Sequence, residues 1–75
     1  MLNLVELKDG QAAKVVSIDG GKNSQEKLKN LGLREGVIVK KIRGMFTHGP
    51  IIVKAGQTEI ALGRGLAVKV IVGEL

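Results

Sequence analysis

Leu28-Lys29-Asn30-Leu31-Gly32-Leu33-Arg34-Glu35-Gly36-Val37-Ile38-Val39 is the stretch where the chain changes its structural period. Leu28 and Leu31 stand three apart, the spacing of one helix face, and that pattern stops at Gly32. After Arg34-Glu35-Gly36 the chain turns β-branched, and Val37, Ile38 and Val39 read as a strand. Gly32 can take the positive φ that ends a helix, and Gly36 can take a tight turn. Leu33, between them, reads as the plug that fixes this turn against a core.

On the N-terminal side, Asn23 or Ser24 is placed to cap the helix, and Glu26 falls in its first turn, where the dipole favours an acid. Lys27 and Lys29 point outward. A helix of about two turns cannot stand alone in water, so Leu28 and Leu31 are expected to dock on strands. Before it, Ala12 to Ile18 reads as the first strand, closed by Asp19-Gly20-Gly21. The adjacent glycines suggest a phosphate cradle, but Gly21-Lys22-Asn23-Ser24 misses the Gly-Lys-Ser/Thr pattern that opens the helix of a P-loop. Further back, Asp9-Gly10 marks a turn. Leu4 and Leu7, in one helical turn or in a short strand leading into that turn, are placed to close one end of the core.

On the C-terminal side, Val37 to Ile42 reads as the second strand, yet Lys41 shares a face with Val37 and Val39. A bulge near Lys40-Lys41 would return Ile42 to the core side; otherwise the strand leaves the barrel with Lys41 already in solvent. Gly44 to Pro50 reads as a loop carrying Met45, Phe46 and His48. Ile51 to Ala55 and Thr58 to Leu62 read as a hairpin joined by Gly56-Gln57, with glycine first as a type II′ turn requires. Gly63-Arg64-Gly65 reads as a tight connection into a last strand, Ala67 to Val72, with Val68, Val70 and Val72 on one face. The pattern predicts a mainly β fold: a small, strongly bent barrel of about five strands, with one short helix inserted between strands one and two. Closure hides the sheet edges of so short a chain.

The 75 residues make a single domain. A chain of this size buries about 60% of the surface it exposes when unfolded, so its core is small. No cysteine is present, which excludes disulfides and thiolate metal sites. The net charge of +5 and the pI near 9.9 suit an anionic partner: nucleic acid, lipid headgroups or an acidic protein face. Phe46 is the one aromatic residue, so the stacking platform of single-strand binders is missing. No run of about 18 apolar residues occurs, so no membrane insertion is expected. The N-terminal residues lack a basic leader followed by an apolar run. These features together read as a cytoplasmic protein.

Leu4, Leu7, Gly10 and Val15 are followed by Leu28-x-x-Leu31-Gly32-Leu33-x-x-Gly36-x-x-Val39. Then come Gly49-Pro50-Ile51-x-Val53, Ile60-Ala61-Leu62 and Ala67-x-x-Val70-x-Val72. In these landmarks and their distances, across almost the whole chain, the sequence resembles the FeoA family, accessory proteins of the bacterial ferrous iron transporter. The resemblance implies an SH3-like barrel with a helical insertion. It also implies a regulatory partnership with the large FeoB membrane protein, whose cytosolic part is a GTPase. The same fold occurs as an accessory domain in iron-dependent repressors of the DtxR type. One departure is His48, where the family carries a small residue before the Gly-Pro.

Enzymatic chemistry is not expected. The only serines, Ser17 and Ser24, have a single histidine to share, and the carboxylates are scattered over turns and polar faces. One imidazole does not make a ferrous site, so no metal or other cofactor is expected. Binding is the stronger reading. Met45, Phe46 and His48 lie on one loop just after Lys40, Lys41 and Arg43, and apolar anchors beside positive charge suit a protein-docking surface. That loop, with Leu33 and the exposed side of the turn to Gly36, is expected to contact the transporter's cytosolic GTPase region. One alternative is a small basic barrel that binds nucleic acid or serves an iron-dependent regulator. Another is a homo-oligomer formed by pairing of edge strands.

Overall fold

The structure, a computed structural model, describes residues 2–44 and 49–75. The elements are β1 (Leu2–Asn3), β2 (Ala12–Ile18), α1 (Lys22–Asn30), β3 (Ile38–Arg43), β4 (Ile51–Ala55), β5 (Thr58–Leu62), α2 (Arg64–Ala67) and β6 (Val70–Gly73). The strands form one six-stranded sheet in the order β1-β6-β2-β3-β4-β5, and every pairing is antiparallel. β2 bends the sheet. Its N-terminal half pairs with β3 and its C-terminal half with β6, with an irregularity between Val15 and Ser17. The near-equal extents of 29 × 26 × 24 Å show how far the sheet curls. β1 and β5 are its two ends, and no pairing joins them among the described residues, so the expected closed barrel is an open roll.

The core is aliphatic: Leu4, Leu7, Val15, Leu28, Leu33, Val39, Ile51, Val53, Leu62, Val70 and Val72 are all buried. Leu4 and Leu7 reach the core as expected; of the two forms open to them they take a turn, which follows the two-residue strand β1, rather than a strand of their own. The Asn3 side-chain oxygen accepts from the Val5 and Glu6 amides, and the Glu6 carboxylate accepts from the Asn3 amide.

The change of period after Leu28 takes the expected form, with Gly32 at φ 97° and Gly36 at φ 90°. The Leu33 amide donates to the Leu28 carbonyl at 3.0 Å, folding Leu33 back under the helix, and Leu33 is fully buried. This reversal gives Leu33 the place that Leu31 was expected to take. Leu31 is the C-cap and remains 38% exposed. The helix also starts earlier than expected. Its N-cap is Gly21 with no side-chain cap, so Glu26 lies beyond the first turn. Ser24 instead accepts from Lys69 Nζ at 3.0 Å, and the Gln25 side-chain amide donates to the Ile18 and Gly20 carbonyls, tying α1 to the end of β2.

The last predicted strand begins too early. Arg64–Ala67 forms the short helix α2, whose Ala67 and Val68 amides donate to the Gly63 and Arg64 carbonyls. Ala67 reaches the core from this helix, while Val68 is 45% exposed rather than aligned with Val70 and Val72. Apolar residues at 67 and 70 satisfy a helical spacing as well as a strand, and packing of the small Ala67 against the core selects the helix.

Candidate functional site

The residues expected to form a docking surface separate into three groups. Leu33 is inside the core and cannot meet a partner; at this turn only Arg34, Glu35 and Gly36 are exposed. Met45, Phe46 and His48 lie outside the described residues. Lys40 and Arg43 are exposed, as expected.

Lys41 requires a correction. It was expected at the surface, yet it is 0% exposed. Its Nζ donates to the Val5 and Leu7 carbonyls, both at 2.8 Å. Its backbone joins the same region, because the Gly10 amide donates to the Lys41 carbonyl and the Lys41 amide donates to the Gln11 carbonyl. Lys41 therefore pins the N-terminal turn onto β3. Burial pushes the ammonium below the ordinary lysine value of 10.5; the Asp9 carboxylate opposes that shift and Arg64 reinforces it. The bulge lies one step beyond the expected position, between Lys41 and Arg43. It leaves Lys41 on the core side and turns both Ile42 and Arg43 outward.

With Lys41 removed, the outer face of the sheet becomes clear. Cross-strand register aligns Ala12 with Lys40, Lys40 with Lys54, and Lys54 with Glu59. The neighbouring row pairs Lys14 with Ile38. Ile38 is 54% exposed on the same strand face as Lys40. A shallow recess of about 370 Å³ is lined by Ala12, Ile38, Lys40, Lys54 and Gly56. Sequence reasoning found Lys40 but missed Lys14, Ile38 and Lys54. Their strand parity was legible, but the register that brings them together was not.

A second cleft, of about 560 Å³ and largely apolar, runs between Leu7, Ala12 and Ala13 on one side and Val72, Glu74 and Leu75 on the other. Among the described residues no group of three or more His, Cys, Asp or Glu side chains is placed to hold a metal ion. No helix among them is long and apolar enough to cross a membrane.

An antiparallel sheet rolled round an aliphatic core, with one helix inserted between β2 and β3, defines a small SH3-like β domain. The model of the FeoA domain matches residues 2–74. The chain belongs to the FeoA family. A protein of Methanocaldococcus jannaschii, provisionally named Fe(2+) transport protein A, is 36% identical over 72 residues, which span 96% of this chain and 85% of that protein. The crystal structure of an iron uptake regulatory protein, FeoA, superposes with a TM-score of 0.88 at 38% identity, covering 99% of this chain and 96% of that one. FeoA of Stenotrophomonas maltophilia complexed with zinc, described as a procaryotic SH3 domain protein, gives 0.86 at 30% identity, covering 97% and 91%.

Proposed function

We propose that this protein is a cytoplasmic, non-enzymatic accessory of ferrous iron uptake that acts by binding the cytosolic GTPase region of a FeoB-type transporter. The observation that carries this reading is the exposed surface of β3, where Lys40 and Arg43 stand beside the solvent-facing Ile38 and Ile42. Positive charge next to exposed aliphatic surface suits recognition of another protein. Family membership supplies the ferrous iron system as the setting. The test is calorimetric titration of the purified protein with the purified cytosolic region. A saturable complex that weakens with added salt is expected; absence of any complex at low salt would refute the reading.

A further inference from the structure

We propose that the outer face of β2, β3 and β4 is a docking surface for an acidic, aliphatic protein segment, with Lys40 and Lys54 sharing one partner carboxylate and Ile38 and Ala12 receiving the adjacent apolar side chain. The proposal deepens the protein-binding reading above and rests on it for the transporter arm of the test.

Three observations carry it. First, Lys40 and Lys54 are direct cross-strand partners, a placement in which like charges repel. Lys14 adds a third ammonium on the neighbouring strand, and Arg43 a guanidinium at the bulge. Among β2, β3, β4 and β5 the one acidic residue is Glu59, the direct cross-strand partner of Lys54 on β5, which offsets one charge against Lys14, Lys40, Lys54 and Arg43. The field over this face is therefore positive, and an incoming carboxylate relieves the Lys40–Lys54 repulsion. Second, the face is not uniformly polar. Ile38 and Ile42 are exposed, and Ile52 is half-buried across from Arg43. Third, the surface dips where these features meet, with Ala12 and Ile38 beside the two lysines. A partner side chain can lose water there while its neighbouring acid meets the ammonium groups. Nucleic acid is the poorer fit, because these strands carry no aromatic residue for bases to stack on.

The test uses fluorescein-labelled probes: a short peptide alternating Glu and Leu, and a single-stranded oligonucleotide of equal charge. Each is titrated into the full chain at about 50 and about 200 mM salt. The peptide is expected to bind the more tightly. The Lys40→Glu/Lys54→Glu variant is expected to weaken peptide binding by about tenfold or more. Lys22→Glu/Lys27→Glu, an equal charge change on α1, is expected to bind as the parent does. Lys40→Gln/Lys54→Gln removes both charges with a smaller change, leaving polar side chains one atom shorter, and serves if the double reversal does not fold. Peptide binding that is absent, or indifferent to Lys40 and Lys54, overturns the proposal, as does tighter binding of the oligonucleotide. The same variants are then titrated with the transporter's cytosolic region. If the parent binds that region and the Lys40/Lys54 variants bind it equally well, the face is wrong and the function reading stands. If the peptide binds through this face and the region does not bind at all, the face stands and the choice of partner falls.

Discussion

Replacing Lys41 with methionine tests the most unexpected feature of the interior. The substitution keeps the aliphatic stem and removes Nζ, so the Val5 and Leu7 carbonyls lose their donor. A hydrogen bond to a charged group contributes about 1.5–3 kcal/mol, and both bonds here are short. Against that stands the cost of holding an ammonium out of water, which methionine removes. The balance is a destabilisation of about 2 kcal/mol for Lys41→Met. Lys41→Ala also empties the space of the stem, at about 0.8 kcal/mol per methylene, for a total of about 4 kcal/mol. At roughly 4–8 °C per kcal/mol for a domain this small, Lys41→Met lowers the melting temperature by about 8–16 °C. Thermal denaturation followed by circular dichroism reads this directly. A methionine variant that melts at or above the parent temperature would refute the idea that Lys41 secures the N-terminal turn.

The pH dependence of the same site has a definite sign. Because burial lowers the folded-state pKa of Lys41, there is an alkaline window, ending at 10.5, in which the unfolded chain keeps a proton the folded chain has shed. Through that window stability rises with pH, and below it the contribution is flat. The neutral amine still carries hydrogens for both carbonyls, so deprotonation does not release the turn. The parent should therefore gain stability relative to Lys41→Met as pH climbs towards 10.5 in urea titrations; a relative loss would contradict the assignment. Leu33→Ala removes a fully buried side chain from the turn after α1 and is expected to cost about 2–5 kcal/mol, measured as a fall in urea midpoint. Gly44→Ala and Gly10→Ala form a matched pair, since both glycines have positive φ. A Cβ at Gly10 meets nothing within 4 Å, whereas one at Gly44 would lie 2.9 Å from the Ile51 Cα. Gly10→Ala should therefore cost about 1–2 kcal/mol in backbone strain. Gly44→Ala should cost clearly more, and equal melting temperatures would contradict the close approach.

Much of this architecture is legible in the sequence because the signals are local. Gly32 and Gly36 announce the reversal, Val53, Ile60, Leu62, Val70 and Val72 alternate with a period of two, and Gly56-Gln57 joins a hairpin. What could not be read depends on partners distant in the chain. Lys41 shares parity with Val39, so its inward direction was visible, but parity alone could not reveal that the Val5 and Leu7 carbonyls wait within reach. With no acceptor in view, solvent was the cheaper expectation for a cation. Ala67 and Val68 were misread because a short apolar run fits either period, and only packing decides between them. At the candidate site, Lys40 and Arg43 were recognised by composition. Lys54 was not, because only the β3–β4 register sets it opposite Lys40.

The central claim is that the basic, aliphatic outer face of the sheet is where another protein docks. Backbone chemical-shift mapping of the isotope-labelled protein during titration with the transporter's cytosolic GTPase region tests it most directly. Shifts should gather on Ala12, Lys14, Ile38, Lys40, Ile52 and Lys54, which the register places on neighbouring strands. Shifts confined to α1 or to the cleft between Leu7 and Leu75, or a spectrum unchanged at saturation, would contradict the account.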